Sequence, residues 1–404
     1  MAHVHVAGLT YVLPGGRVLL DEVSFRVGEG VTAGVVGPDG AGKSTLLRLI
    51  AGRLTPAKGE IVSSGGIGFM PRSPHPPLAG GRRRRFALEA LLRGPDQVLL
   101  LDEPDDHLDM PGKEWLEDQL RASAKTVLIV SRDRQLLANA ANRIISVEGR
   151  DVRVHEGGYT TFADARRDRG SRPPGGYGRP EAGPPSSRAT AITCRRLRLT
   201  GLTVPFDLTV RPGERVALLG PDDAGKSSFL RTLAGAALPE GSAAPFGGTV
   251  DLGPGIRPGH LTADDDRPDL DRRRVSEIVR RDLPPDREAA AAALARYDIA
   301  GTWNRKYGAL SRGERARLRI VLLEMADVDL LLLDDPTGGL DTPSADALQR
   351  GLRRFPGTVV ATTHDRWLAA DFTRYVHFAG DGRVSEVDIP IWEPMREVKC
   401  QDDY

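Results

Sequence analysis

Cysteine is almost missing from this chain. Cys194 and Cys400 are the only two in 404 residues. They have no metal-ligand spacing, so a disulfide framework and a zinc cluster are both excluded, and a reducing compartment is expected. Long apolar runs are also lacking. None approaches the roughly 20 residues that span a bilayer. The first residues carry no charged-then-apolar signal pattern. The expectation is a cytoplasmic protein. Excess charge is missing too: the formal net charge is +1, which gives no bulk attraction to nucleic acid or membrane, although local patches remain open. Lysine is scarce at seven residues, and nearly all basic residues are arginine, a bias that reads as base composition.

Two phosphate-binding loops stand out against this background. Gly37-Pro38-Asp39-Gly40-Ala41-Gly42-Lys43-Ser44 and Gly220-Pro221-Asp222-Asp223-Ala224-Gly225-Lys226-Ser227 both fit G-x-x-x-x-G-K-[ST]. Each follows a short apolar run and opens a helix-like stretch, the context this motif requires. Both keep lysine in a chain that otherwise prefers arginine, consistent with a compact ammonium reaching β- and γ-phosphates. The second half of the chain repeats the first. Leu78-Ala79-Gly80-Gly81 matches Leu310-Ser311-Arg312-Gly313, Asp102 matches Asp334, and Arg132 matches His364. The second copy carries about fifty extra residues between its P-loop and Leu310.

Residues 1–164 are therefore expected to form one nucleotide-binding domain and 191–386 another. Between them, 165–190 is rich in Pro, Gly, Ser and Arg without apolar periodicity, and reads as a linker. Its arginines suit either a solvated tether or a polyanion. Residues 387–404 carry no strong signal. Buried-strand runs occur at Val98 to Leu101 and Thr126 to Val130, repeated at Leu330 to Leu333 and Thr358 to Ala361. Short β-like runs lie at His3 to Val6, Val23 to Val27 and Ile61 to Ser63. Continuous apolar strands between helical segments predict a mainly parallel sheet covered on both faces. The extra segment 264–309 reads as partly helical.

The P-loop glycines let backbone N–H groups face phosphate oxygens, with the helix dipole adding attraction. Ser44 and Ser227 can place hydroxyls on Mg²⁺. An acid at the end of a buried strand is the second requirement. Asp102-Glu103 and Asp334-Asp335 supply it, the first acid of each pair for Mg²⁺ through water, the second for the attacking water.

These residues resemble the ATP-binding-cassette (ABC) ATPases, in the order P-loop, LSGGQ-like signature, strand-end acids, a following Leu-Asp (Leu108-Asp109; Leu340-Asp341), and a strand ending in Ser131-Arg132-Asp133-Arg134 or Thr363-His364-Asp365-Arg366. The fold implied is α/β: two P-loop domains of ABC type, each with a mainly parallel sheet and a small antiparallel β subdomain, with the helical subdomain nearly absent from the first. The run Asp102 to Asp109 and the run Gly158 to Phe162 before Arg166-Arg167 resemble the ABC-F group, tandem cassettes without membrane domains, many of which act on the ribosome.

The resemblance implies ATP and Mg²⁺ as ligands, and two ATPs sandwiched between the paired cassettes of one chain. The residues implied at the nucleotide are Gly37, Gly40, Gly42, Lys43, Ser44 and Thr45 in the first copy. In the second they are Gly220, Gly225, Lys226, Ser227 and Ser228. The signature residues Gly80, Gly81, Ser311 and Gly313 are implied across the sandwich, and Tyr11 stands where the family stacks an aromatic on adenine. Ser44, Asp102, Ser227 and Asp334 are implied at the metal, and Glu103, Asp335 and His364 in catalysis.

Several positions depart from the family pattern. Arg72 stands where the Q-loop glutamine is expected, Arg132 replaces the switch histidine, and Ala79 replaces the signature serine. In the second copy Ala263 takes the glutamine position, Arg312 replaces a signature glycine, and Asp335 replaces the catalytic glutamate. The linker is short: as a flexible coil it spans about 25–30 Å, and each arm of a hairpin would project about 15 Å. Arg82 to Arg85 suit a structural or nucleotide-side role, or an RNA patch.

The expected activity is slow ATP hydrolysis that drives cassette closure on a partner, with the ribosome or its RNA the family-based candidate, in translation or ribosome protection against antibiotics. Glu103, the longer acid, is expected to carry more of the turnover than Asp335. Two other readings remain: the ATPase subunit of a membrane transporter, and a nucleotide-gated regulatory protein with negligible turnover.

Overall fold

The computed structural model describes residues 2–72, 81–170, 190–236, 246–262, 267–282 and 287–392. The chain divides into two compact units, Met1–Arg172 with Asp341–Ser344, and Pro173–Leu340 with Ala345–Tyr404.

The first unit opens with β1 (His3–Val12), β2 (Val18–Val27) and β3 (Thr32–Val36), then α1 (Lys43–Ile50), β4 (Lys58–Ser64) and β5 (Ile67–Met70). It continues through α2 (Gly81–Arg93), β6 (Val98–Asp102), α3 (Met110–Ala122), β7 (Thr126–Val130), α4 (Arg134–Ala140), β8 (Arg143–Glu148), β9 (Asp151–Glu156) and α5 (Tyr159–Gly170). Six strands form one sheet in the order β5-β6-β7-β3-β8-β9. All its neighbours run parallel except β9, which closes the edge antiparallel to β8. Leu99, Leu100, Val127 and Leu128 are wholly buried, as continuous apolar strands covered on both faces must be. A separate antiparallel sheet, β2-β1-β4, is the small β subdomain.

The second unit repeats this plan. It begins with β10 (Ile192–Leu199), β11 (Phe206–Val210), β12 (Arg215–Leu219), α6 (Lys226–Gly235), β13 (Phe246–Leu252) and β14 (Pro258–Leu261). The helices α7 (Val275–Asp282), α8 (Arg287–Arg296) and α9 (Arg312–Met325) follow, with short 3-10 turns between them. Then come β15 (Leu330–Asp334), α10 (Thr342–Arg353), β16 (Thr358–Thr362), α11 (Arg366–Ala369), β17 (Arg374–Phe378) and β18 (Val384–Val387). The main sheet runs β14-β15-β16-β12-β17-β18, and β11-β10-β13 is the antiparallel partner.

The expected α/β class and its two kinds of sheet are therefore present in both units. Helices α7 and α8 make a subdomain with no counterpart among the described residues of the first unit: Val275, Ile278, Val279, Ala293 and Leu294 turn one face into the core. In the first unit only residues 71–80 separate β5 from α2.

Several boundaries differ from the sequence reading: β2 begins at Val18 and β4 at Lys58, both earlier than expected. Strand β1 runs to Val12 rather than ending at Val6, because a bulge between Ala7 and Thr10 breaks the alternation. Residues 165–170, expected in the linker, belong to α5. Tyr159 and Phe162 anchor that helix in the first unit, and Arg166 pairs with Glu148 at 3.6 Å.

Candidate functional site

Each P-loop leaves its sheet through a turn that only glycine allows. Gly37 has φ +149°, and a Cβ there would lie 2.2 Å from the Val147 carbonyl oxygen. Gly220 repeats this with φ +126° and a contact of 2.1 Å to the Phe378 carbonyl. The loop then folds over its own lysine. Lys43 Nζ donates to the carbonyls of Gly37 at 2.7 Å and Pro38 at 2.8 Å. Lys226 Nζ donates to Gly220 at 2.7 Å and Pro221 at 2.6 Å. Burial pushes both ammonium pKa values down. A phosphate at either loop would restore a full counter-charge.

The strand-end acids meet the helix that follows each P-loop. Ser44 donates to Asp102 Oδ1 at 3.0 Å, and Ser227 donates to Asp334 Oδ1 at 2.9 Å. Asp102 is fully buried, its Oδ2 accepts no hydrogen bond, and burial raises its pKa. A buried carboxylate oxygen without a donor beside a serine hydroxyl fits a hard, oxygen-seeking cation such as Mg²⁺, reached directly or through water. Ser44 with Asp102, and Ser227 with Asp334, are the residues that can hold it.

The second acid of each pair sits in a strained conformation. Glu103 has φ 48° and Asp335 φ 44°, both in the left-handed region that non-glycine residues avoid. Such strain costs about 1–2 kcal/mol and concentrates at functional sites. Burial raises the pKa of both. Arg132 opposes that rise at Glu103, and His364 opposes it at Asp335.

Surroundings separate the two acids. Arg132 Nε donates to Glu103 Oε1 at 3.2 Å, and Arg72 Nε lies 2.9 Å from Glu103 Oε2. Arg132 also reaches Asp39 of the P-loop at 3.1 and 3.2 Å. In the second unit His364 Nε2 lies 3.1 Å from Asp222 Oδ1, the P-loop acid equivalent to Asp39. Thr362 donates to Asp334 Oδ1 at 2.8 Å and accepts from the Asp335 N–H at 2.8 Å.

Three features here are missing from the motif reading. One is the meeting of Arg72 and Arg132 on a single carboxylate. Another is Thr362, whose only sequence signal is its place opposite Val130 in the repeat. The last is Arg84 on α2, which donates to the carbonyls of Asp102, Glu103 and Pro104. Arg84 is thus a structural brace on the acid-bearing turn, the first of the roles considered for Arg82 to Arg85.

The remaining predicted residues are placed as follows. Thr45 and Ser228 are half-buried in the first turns of α1 and α6. Tyr11 is half-buried, paired in register with Leu20, whose Cδ2 lies 3.5 Å from where a Gly42 Cβ would be. Beside Gly225 the corresponding neighbours are Leu199 and Leu202. Ser311 caps α9: its hydroxyl accepts from the Glu314 N–H at 3.1 Å, and Glu314 Oε2 accepts from the Ser311 N–H at 2.7 Å. Gly313 lies buried inside α9. A cavity of about 760 Å³ in this unit is lined by Arg312, Arg315 and Arg319 of α9 and by Asp334 and Asp335. Gly81 opens α2, while Leu78, Ala79, Gly80 and Ala263 lie outside the described residues.

Comparison with known proteins agrees with this geometry. The family model described as "ABC transporter" matches residues 20–68 and 204–338, taking in both P-loops and, in the second copy, the signature and acids. An "Antibiotic resistance protein" of Mycobacteroides abscessus is 33% identical, the match covering 97% of this chain and 100% of that protein. That alignment runs over 551 positions, more than this chain's length, so the relative carries at least about 150 residues without a counterpart here. "Ribosome protection protein VmlR" of Bacillus subtilis is 25% identical over 87% of this chain and 82% of its own. Among solved structures an "RNase-L Inhibitor" superposes with a TM-score of 0.67 at 19% identity, covering 96% of this chain and 90% of that one, which concerns the fold alone. The chain belongs to the ATP-binding-cassette family as a tandem-cassette ATPase of ABC-F type.

Proposed function

We propose that this chain is a cytoplasmic ATPase that binds ATP and Mg²⁺ at both P-loops, hydrolyses them slowly, and uses cassette closure to act on the ribosome, protecting it from antibiotics or tuning translation. The observation that carries the nucleotide part is the repeated set of P-loop lysine, first-turn serine and strand-end acid. Lys43, Ser44, Asp102 and Glu103 recur as Lys226, Ser227, Asp334 and Asp335, with the serine–acid contact preserved at 3.0 and 2.9 Å. Lysine and loop N–H groups bind phosphate. Mg²⁺ supplies charge neutralisation across the phosphates when bound. Glu103 or Asp335 would accept the proton of the attacking water, with His364 assisting in the second unit.

The ribosomal part rests on relatives. One is named a ribosome protection protein and another an antibiotic resistance protein, and each aligns with nearly the whole chain. Contacts to RNA phosphates would be salt-sensitive. The short segment between the units favours peripheral contact over deep insertion. Co-sedimentation with ribosomes, with and without ATP, tests this, using Glu103→Gln/Asp335→Asn to slow hydrolysis. ATP-dependent pelleting of that variant is expected. Its absence at low salt would remove the ribosome and leave an ATPase with another partner.

A further inference from the structure

The two residues that break the family pattern in the first unit converge on one carboxylate. Arg132 Nε donates to Glu103 Oε1 at 3.2 Å, and Arg72 Nε stands 2.9 Å from Glu103 Oε2. Oε1 thus accepts a hydrogen bond from Arg132, while Oε2, which accepts none, faces the Arg72 guanidinium as a close ion pair. The Glu103 side chain is only 5% exposed, whereas the Arg72 and Arg132 side chains that face it are 39% and 25% exposed. Arg132 is itself tethered from the other side, by Asp39 at 3.1 and 3.2 Å, and Asp39 lies 3.9 Å from Lys43 Nζ. The result is a chain of alternating charges running from the P-loop lysine to the acid. Among the described residues no arginine pairs with Asp335 in the second unit.

A general base needs an oxygen free to face the water it activates. In hydrolysis the water oxygen bonds the γ-phosphorus as the bridging P–O bond breaks toward ADP, and the water's proton goes to the accepting carboxylate. An acid with one oxygen bonded to Arg132 and the other paired with Arg72 cannot take that position without breaking a pair. We propose that Arg72 and Arg132 are positioning residues that hold Glu103 off the attacking water, so that the first site keeps its nucleotide as triphosphate while turnover runs at the second. This rests on the ATP-binding reading above and reverses the weighting of the two acids that side-chain length alone suggests. It differs from a role in which the arginines serve the γ-phosphate, because that role predicts slower hydrolysis when they are replaced.

The test uses the full chain loaded with radiolabelled ATP and Mg²⁺, following bound ATP and ADP alongside steady-state kcat and KM. Wild type is expected to retain about one ATP per chain through many turnovers. Arg72→Gln/Arg132→His should lose that retention and raise kcat by about tenfold with little change in KM, less than the roughly 10²–10⁴ that a fully positioned base contributes. Adding Glu103→Gln to this variant should remove the gain, which a merely structural effect would not require. Arg72→Lys/Arg132→Lys, which keeps both charges, should keep the retained triphosphate. If the Gln/His pair does not fold, Arg72→Gln alone is read the same way. A lower kcat in the Gln/His variant, a gain that survives Glu103→Gln, or conversion of both nucleotides in wild type would each overturn the clamp. Failure to bind any nucleotide would instead overturn the ATP-binding reading beneath it.

Discussion

Thr362 and Asp334 sit side by side on adjacent parallel strands, and the threonine hydroxyl donates to Asp334 Oδ1 at 2.8 Å. The same hydroxyl accepts the N–H of Asp335. In the first unit the residue in register with Asp102 is Val130, which has no hydroxyl to offer. The second copy thus adds a threonine hydroxyl to the serine at Asp334 Oδ1 and ties it to the Asp335 N–H, whereas in the first Asp102 Oδ1 accepts from Ser44 without such a partner on β7. Thr362→Val should leave the Asp335 N–H unsatisfied and cost about 1–3 kcal/mol in thermal or denaturant unfolding. Val130→Thr should be close to neutral, although a hydroxyl placed in an apolar core usually destabilises. Equal costs for the two changes would show that the hydroxyl is not what orders these acids.

The P-loop glycines differ in what they tolerate. Gly37→Ala would set a Cβ 2.2 Å from the Val147 carbonyl oxygen, so the loop must move off the sheet. Gly40→Ala meets nothing within 4 Å, although its φ of +77° still disfavours alanine. Gly37→Ala should abolish ATP binding at the first site and lower stability by several kcal/mol, whereas Gly40→Ala should cost about 1 kcal/mol. Isothermal titration with a non-hydrolysable ATP analogue and a thermal melt read both effects. Similar behaviour of the two variants would contradict the carbonyl contact.

Local motifs carried the nucleotide chemistry because P-loops and strand-end acids are set by consecutive residues. Ser44 meeting Asp102, and Ser227 meeting Asp334, follow from the fold those motifs imply. What stayed hidden depends on residues far apart in sequence. Arg72 and Arg132 read separately as departures, and nothing local shows that both point at Glu103. Strand β1 reads as ending at Val6 because its bulge spoils the period of two. The start of the presumed linker is helical because Tyr159 and Phe162 bury one end, while the following Arg-Arg-Asp-Arg face shows no apolar rhythm to read.

Cys194 is buried on β10, and burial pushes its thiol up to about 12. A thiol held protonated is a poor nucleophile. In a Cys400→Ser background, native protein at pH 8 should react with a thiol-specific disulfide reagent far more slowly than the unfolded chain. The sign of the pH effect follows from the same shift. Above pH 9 the unfolded thiol ionises and the folded one does not, so the unfolded state gains. Stability from this group is therefore intact below about pH 9 and falls by up to about 1.4 kcal/mol per pH unit toward pH 12. Cys194→Ala should flatten that alkaline decline. An unchanged decline would show that other groups cause it.

The lysine of each P-loop supplies the last test, because in both units it is tied to its own loop. Lys43 Nζ bonds the carbonyls of Gly37 and Pro38, and Lys226 Nζ those of Gly220 and Pro221. Phosphate must compete with these carbonyls, but it brings charge to an ammonium whose burial disfavours it. ATP with Mg²⁺ should therefore stabilise the chain, by about 2.7 kcal/mol for each independent site at a hundredfold excess over Kd. Lys43→Ala and Lys226→Ala should each remove part of the rise in melting temperature, and the double variant all of it. The nucleotide-free proteins should also differ, since each substitution strips two bonds that hold the loop closed. Omitting Mg²⁺ should shrink the ATP shift in wild type, because Asp102 and Asp334 would then face phosphate without a cation between them. If ATP raises the melting temperature of the double variant as much as that of wild type, the nucleotide binds somewhere other than these loops.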